Sequence, residues 1–154
     1  MLKINDKMPS FEILTDKGEF KVSKHIGKKI VVFFFPKADT SGCTAESIAF
    51  SNLQKKFDQS NCIVIGISKD NVKKQAKFRE KYNLTCELGA DFENNVCEQF
   101  GVWVEKSMYG RKYMGIQRAT FLCDEKGIIT NVWEKVKVPG HADEVLAAVK
   151  KMDT

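Results

Sequence analysis

The stretch Ile30-Val31-Val32-Phe33-Phe34-Phe35-Pro36-Lys37-Ala38-Asp39-Thr40-Ser41-Gly42-Cys43-Thr44-Ala45-Glu46 decides how this chain folds. Its first six residues are apolar without polar alternation, the pattern of a central strand covered on both faces. Pro36 has no amide N–H to give a ladder and stops the strand. Thr40, Ser41 and Gly42 then supply turn and capping chemistry, and Ala45, Ile48, Ala49, Leu53 and Phe57 recur at helical spacing. The reading places Cys43 in the first turn of a helix, just beyond a strand end.

First-turn N–H groups have no intrahelical acceptor and carry the positive end of the helix dipole. Cysteines in such settings, or beside cations, titrate between about 3.5 and 7.5 instead of near 8.5, so Cys43 is a candidate nucleophile. The competing reading is an inert packing cysteine. A packing role fits poorly with flanking Ser41, Gly42 and Thr44, because the crevice outside the carboxyl ends of parallel strands is where open α/β sheets bind ligands.

Outward from this centre, Phe11–Leu14 and Glu19–Val22 around Asp16-Lys17-Gly18 read as a hairpin. Cys62–Ile67 reads as a second buried strand and Asn71–Tyr82 as a helix, which makes a β-α-β-α succession with parallel pairing. Glu87–Ala90 suggests a short strand and Asn95–Phe100 a short helix. Residues 101–115 lack clear periodicity and are expected to form an irregular loop. Ala119–Cys123 and Ile128–Trp133 form a second hairpin, and Ala142, Val145, Leu146, Val149 and Met152 mark a closing amphipathic helix. These elements predict one α/β domain over residues 1–154 with a thioredoxin-like fold: a mixed central sheet flanked by helices, with an N-terminal β-hairpin.

The 154 residues are 43% hydrophobic and 29% charged, enough for one sizeable core. The N-terminal thirty residues lack both the apolar run and the cleavage site of a secretion signal, so the expectation is a cytoplasmic protein with no membrane partner. Cys43, Cys62, Cys86, Cys97 and Cys123 are an odd number with no C-x-x-C pair, which argues against a disulfide framework. His25 and His141 stand far apart and are expected at the surface or at caps. No metal and no cofactor are expected. The net charge of +5 is modest. Lys69, Lys73, Lys74, Lys77, Arg79 and Lys81 could form a nucleic-acid patch, but no recognised module accompanies them, and a solvated helix face is the preferred reading.

Pro36-x-x-x-Thr40-x-x-Cys43 resembles the P-x-x-x-T-x-x-C signature of peroxiredoxins. Phe35–Thr44, followed in order by Val96–Trp103, Glu105–Gly110 and Gly115–Leu122, resembles the Q-type branch, the bacterioferritin comigratory proteins. The resemblance implies the same thioredoxin-like fold. It also implies thiol-dependent reduction of hydrogen peroxide and organic hydroperoxides through a Cys43 sulfenic acid. Thr40 and the Cys43 N–H would contact the peroxide, Arg118 would serve thiolate and substrate, and Pro36 would shield the sulfur. Thioredoxin or another thiol would be the reductant, and the chain would act as a monomer rather than a dimer.

Thr40 could equally be a plain N-cap, and Arg118 a surface ion-pair partner. Glu46 lies on the Cys43 face of the helix, where its charge opposes a thiolate unless Arg118 engages it. It is kept outside the catalytic set. The branch's usual resolving positions fall on Ile48 and near Phe78 and Arg79, so neither holds a cysteine. Cys62 and Cys123 read as packing residues, Cys97 matches a position not usually given the resolving role, and Cys86 remains as a possible internal partner. The expectation is one-cysteine behaviour. The alternatives are a thiol-disulfide exchange protein, although Glu46 stands where its second cysteine would be, and a redox-inert chaperone or binding module on the same fold.

Overall fold

The computed structural model describes residues 1–153. Its main sheet has seven strands in the order β2-β1-β5-β4-β3-β8-β9, and a separate two-stranded ribbon pairs β6 with β7. The strands of the main sheet are β1 (Glu12–Thr15), β2 (Gly18–Lys21), β3 (Lys29–Phe34), β4 (Cys62–Ser68), β5 (Glu87–Ala90), β8 (Ala119–Cys123) and β9 (Ile129–Trp133). The helices are α1 (Ser41–Asn52), α2 (Gln54–Gln59), α3 (Val72–Tyr82), α4 (Val96–Phe100) and α5 (His141–Lys151). β3 lies between β4, parallel to it, and β8, antiparallel to it, and all six of its residues are buried. This is the mixed sheet with a parallel centre and antiparallel edges that the sequence predicts.

Alternate residues of β3, continued by Phe35 just beyond it, feed two cores. Val31, Phe33 and Phe35 pack with Phe50, Phe57, Phe78, Leu146 and Val149 from α1, α2, α3 and α5. Ile30, Val32 and Phe34 face Phe11, Phe100, Val102, Ile116 and Phe121. The second face is thus covered by the N-terminal segment, the short helix α4 and the foot of the ribbon. Phe33 stacks on Phe50 with ring centroids 4.5 Å apart, and a Cβ at Gly66 on β4 would overlap the Phe33 ring. Each fully buried phenylalanine contributes on the order of 1.5–3 kcal/mol, so this layer holds α1 against the sheet.

Three expectations need correction. Residues 101–115 are not an irregular loop: β6 (Trp103–Met108) and β7 (Arg111–Ile116) pair antiparallel through all six positions. Their two-residue turn places Tyr109 and Gly110 at φ 51° and 77°, a twist that suits hairpins but that Tyr-Gly signals weakly. Most of the ribbon is exposed, so no apolar alternation marks it. The helix after Cys43 breaks at Leu53, whose N–H turns back to the Phe50 carbonyl at 3.1 Å. Ser51 and Asn52, weak helix formers, end α1 there. His141 is neither exposed nor a side-chain cap: it is buried at the start of α5, with Nε2 2.8 Å from the Thr120 hydroxyl.

The basic stretch on α3 is only partly a solvated face. Arg79 pairs with Asp16 and donates to the carbonyls of Leu84 and Cys86 at 2.7 and 2.9 Å. Lys69 pairs with Asp91 and Glu98, and Lys81 with Asp39. Lys73, Lys74 and Lys77 stay exposed on the solvated face of the helix. No helix among the described residues is long and apolar enough to cross a membrane.

Candidate active site

Cys43 occupies the third position of α1, and the residue is fully buried. Thr40 takes the N-cap position at φ −91° and ψ 157°, but its side chain caps nothing. Its hydroxyl donates instead to the Lys37 carbonyl at 2.8 Å. That bond uses the only hydroxyl proton, so toward any further group Thr40 Oγ can only accept. The N–H groups of the first turn therefore point out of the helix without a side-chain partner from Thr40.

Arg118 reaches the same point from the residue ahead of the neighbouring strand β8. Antiparallel pairing sets Ala119, the first residue of β8, beside Phe34, the last of β3, so Arg118 emerges over the carboxyl end of the central strand. Its Nη2 donates to Cys43 Sγ at 3.2 Å and its Nη1 to Glu46 Oε1 at 2.6 Å. One planar guanidinium spans both groups, a geometry that a lysine point charge cannot reproduce. Gly42 makes room for it, since a Cβ there would stand 3.2 Å from Nη2.

The surface ion-pair reading of Arg118 is thereby excluded, and Glu46 is the residue that sequence reasoning undervalued. Its side chain is 1% exposed and Oε2 has no partner. Burial pushes the Glu46 carboxyl up to about 7, against the opposing pull of Arg118. A carboxyl whose folded-state value is raised favours the fold below its unfolded value of 4.5 and loses that contribution as pH rises through about 7. The gap corresponds to about 3 kcal/mol. Urea unfolding of Glu46→Gln should accordingly show a weaker loss of stability between pH 4.5 and 7.5 than the wild type, by roughly that amount. Superimposable pH dependences for the two proteins would count against the shift.

The loop before α1 is strapped to α3 and its approach. The Ala38 N–H donates to Asp70 Oδ2 at 2.7 Å, and Asp39, at φ 63°, accepts from the Tyr82 hydroxyl and from Lys81 Nζ at 2.9 Å. Pro36 and Thr40 are exposed at either end of this loop. Aspartate tolerates the left-handed conformation and bonds locally, which was the available sign that Asp39 shapes the loop.

The other four thiols sit in different surroundings. Burial pushes Cys62 up to about 12 and Cys86 and Cys123 up to about 11, and burial with the Asp91 charge pushes Cys97 upward as well. All four are buried, and Cys86 accepts from the Ser51 hydroxyl at 3.5 Å. Among the described residues, Cys43 is the cysteine whose sulfur takes a hydrogen bond from a cation.

A buried strand delivering a cysteine to a helix N-terminus, with arginine on its sulfur, defines a thioredoxin-fold thiol enzyme. Comparison with known proteins agrees: the AhpC/TSA family pattern matches residues 4–132. A putative peroxiredoxin Bcp of Coxiella burnetii is 46% identical over 146 residues, covering 94% of this chain and 97% of that one. The peroxiredoxin Bcp of Bacillus subtilis is 41% identical over 152 residues, covering 98% and 97%. Among solved structures, a mutant PrxQ of Xylella fastidiosa superposes with a TM-score of 0.94 at 33% identity, covering 100% of this chain and 99% of that one. The Xanthomonas campestris bacterioferritin comigratory protein, solved as trapped intermediate and ligand complexes, gives 0.91 at 34%, covering 99% and 100%. The chain belongs to the AhpC/TSA family and, within it, to the Q-type or Bcp peroxiredoxins, which are thiol-dependent peroxidases.

Proposed function

We propose that Cys43 is the peroxidatic cysteine, reducing hydrogen peroxide and organic hydroperoxides in one-cysteine fashion. The observation that carries this reading is the Arg118 fork joining Cys43 Sγ to Glu46. A thiolate lone pair forms a bond to the terminal peroxide oxygen as the O–O bond breaks. Sulfur is left as sulfenic acid, and the second oxygen departs with the electron pair and takes up a proton to become water or an alcohol. Arg118 and the Cys43 N–H meet the charge that develops on the oxygens, Thr40 Oγ accepts from the peroxide O–H, and Pro36 at the loop's start limits water. The reading extends to organic hydroperoxides by way of the Xanthomonas relative, for which alkyl peroxide reduction is described. An external thiol, thioredoxin or another, then attacks the sulfenic sulfur, releases water, and leaves a mixed disulfide that a second thiol reduces.

The absence of internal resolution is supported by three positions. Ile48 and Arg79 stand where the branch's resolving cysteines fall, and Cys86 is buried with its thiol held protonated. One equivalent of peroxide should therefore leave a dimedone-trappable sulfenic acid and four free thiols of the five. Rapid loss of two thiols within one chain, abolished by Cys86→Ser, would establish an internal disulfide instead. The peroxidase reading itself is tested by peroxide consumption with a dithiol reductant. Insulin reduction without peroxide turnover would replace it with thiol-disulfide exchange.

A further inference from the structure

At the end of the sheet opposite Cys43, three segments of chain close around a cavity of about 160 Å³. Ile30 and Cys123, register partners near the start of β3 and at the end of β8, form its floor. Met8 and Ser10 of the N-terminal segment, Val22 and Ile26 around the 3-10 turn Val22–His25, and the turn at Lys126 and Gly127 form its walls. Backbone bonds tie these walls together: the Met8 N–H donates to the Gly127 carbonyl at 2.8 Å, and the Gly27 N–H to that of Glu125 at 3.2 Å. About 13 Å of strand separates the floor from Phe34 and Ala119, so the cavity is no part of the thiol site.

The lining is mainly apolar, and Ile26 at its edge is 79% exposed, a side chain that an occupant would cover. Around the mouth stand Lys7, Lys28 and Lys126, all exposed, and no carboxylate among the described residues pairs with any of them. Glu125 is the one carboxylate of the lining, and it faces Lys29 at 3.8 Å. His25 stacks on Phe20 with ring centroids 4.9 Å apart, and burial, followed by the Lys28 charge, lowers it, so it adds no cation at pH 7. The mouth therefore carries an excess of positive charge over an apolar interior.

We infer that this cavity is a binding site for a small arylalkanoate, an aromatic ring on a short chain that ends in a carboxylate. The size suits the ring, since an apolar cavity of about 150 Å³ engineered into another protein takes up benzene. The ring leaves water for Met8, Val22, Ile30 and Cys123, while the carboxylate stays at the mouth among the three ammonium groups. Each of those charges acts through water and contributes little alone, but all three favour the same anion. An alcohol of the same shape keeps the ring and loses that attraction, and an amine is repelled. The ligand touches all three wall segments at once, so it stabilises the folded chain by mass action.

The test is an amide-resolved NMR titration of the full chain with 3-phenylpropanoate, its alcohol and its amine, in wild type, Lys28→Gln/Lys126→Gln and Val22→Phe. In wild type the amides of Met8, Val22, Ile26 and Cys123 should move together, with the carboxylate at a Kd of about 0.1–1 mM and the alcohol about threefold to tenfold weaker. That advantage should shrink in about 0.5 M salt, and the double lysine variant should lose it while still binding the alcohol. Val22→Phe, which adds a ring to the wall, should bind neither. Lining amides that stay in place up to about 20 mM ligand would overturn the inference. So would shifts scattered over lysines elsewhere, which would mean surface ion pairing, or an alcohol that binds as tightly as the carboxylate. The site stands apart from the peroxidase reading, and a failed titration leaves the Cys43 chemistry untouched.

Discussion

A Cys43→Ser variant is expected to lose peroxide turnover altogether, while serine at Cys62, Cys86, Cys97 or Cys123 leaves the first oxidation within about twofold of wild type. A serine hydroxyl stays protonated at neutral pH and is a poor nucleophile without an adjacent base. The group bonded to position 43 is Arg118, a donor that cannot take a proton, and the nearby Glu46 carboxyl is itself engaged by Arg118. The other four thiols are buried and held protonated, so they cannot substitute. Arg118 can donate to a serine Oγ much as it does to sulfur, so the variant should keep its fold. Stopped-flow oxidation with stoichiometric peroxide decides the matter; undiminished reactivity in Cys43→Ser would remove the assignment.

Arg118→Met should slow the first oxidation at pH 7 by about a hundredfold, the scale on which a donor aimed at developing negative charge acts. It should also cost stability, because Glu46 is left buried without its cation. The two effects separate in the double variant Arg118→Met/Glu46→Gln, where stability recovers and the rate does not. Arg118→Lys should rescue the rate only in part, since one ammonium cannot lie 3.2 Å from the sulfur and 2.6 Å from Glu46 as the two nitrogens of the fork do. A wild-type rate in Arg118→Met would show that the observed hydrogen bond does not contribute to the chemistry.

Much of the fold was legible because burial leaves strong patterns. Ile30–Phe35 and Cys62–Ile67 are unbroken apolar runs, and both are central parallel strands. Cys43 was legible because Pro36, Gly42 and the helical spacing after it fix a strand end and a helix start within a few residues. Arg118 could be placed only by resemblance, since its position depends on β8 lying antiparallel to β3, a contact across about ninety residues of chain that no local pattern encodes. Glu46 was seen on the correct helix face, yet whether it opposed or supported the site depended on a partner 72 residues away. The β6–β7 ribbon was missed because its strands are largely exposed, and because a tyrosine in the left-handed turn position gives no warning.

The place of Arg79 has a consequence for how long an oxidised molecule lasts. Its guanidinium ties α3 to Asp16 and to the carbonyls of Leu84 and Cys86, so the helix nearest the Cys43 loop is fastened at the position where the branch's resolving thiol falls. Unwinding α3 toward Cys43 would strip several hydrogen bonds from a charged group at once, a few kcal/mol with nothing gained in return. On the proposed one-cysteine reading, an oxidised Cys43 in such a scaffold would have no clock of its own. Its lifetime would be set by the concentration of thiol outside, and the molecule would record a peroxide encounter until a reductant arrived to erase it.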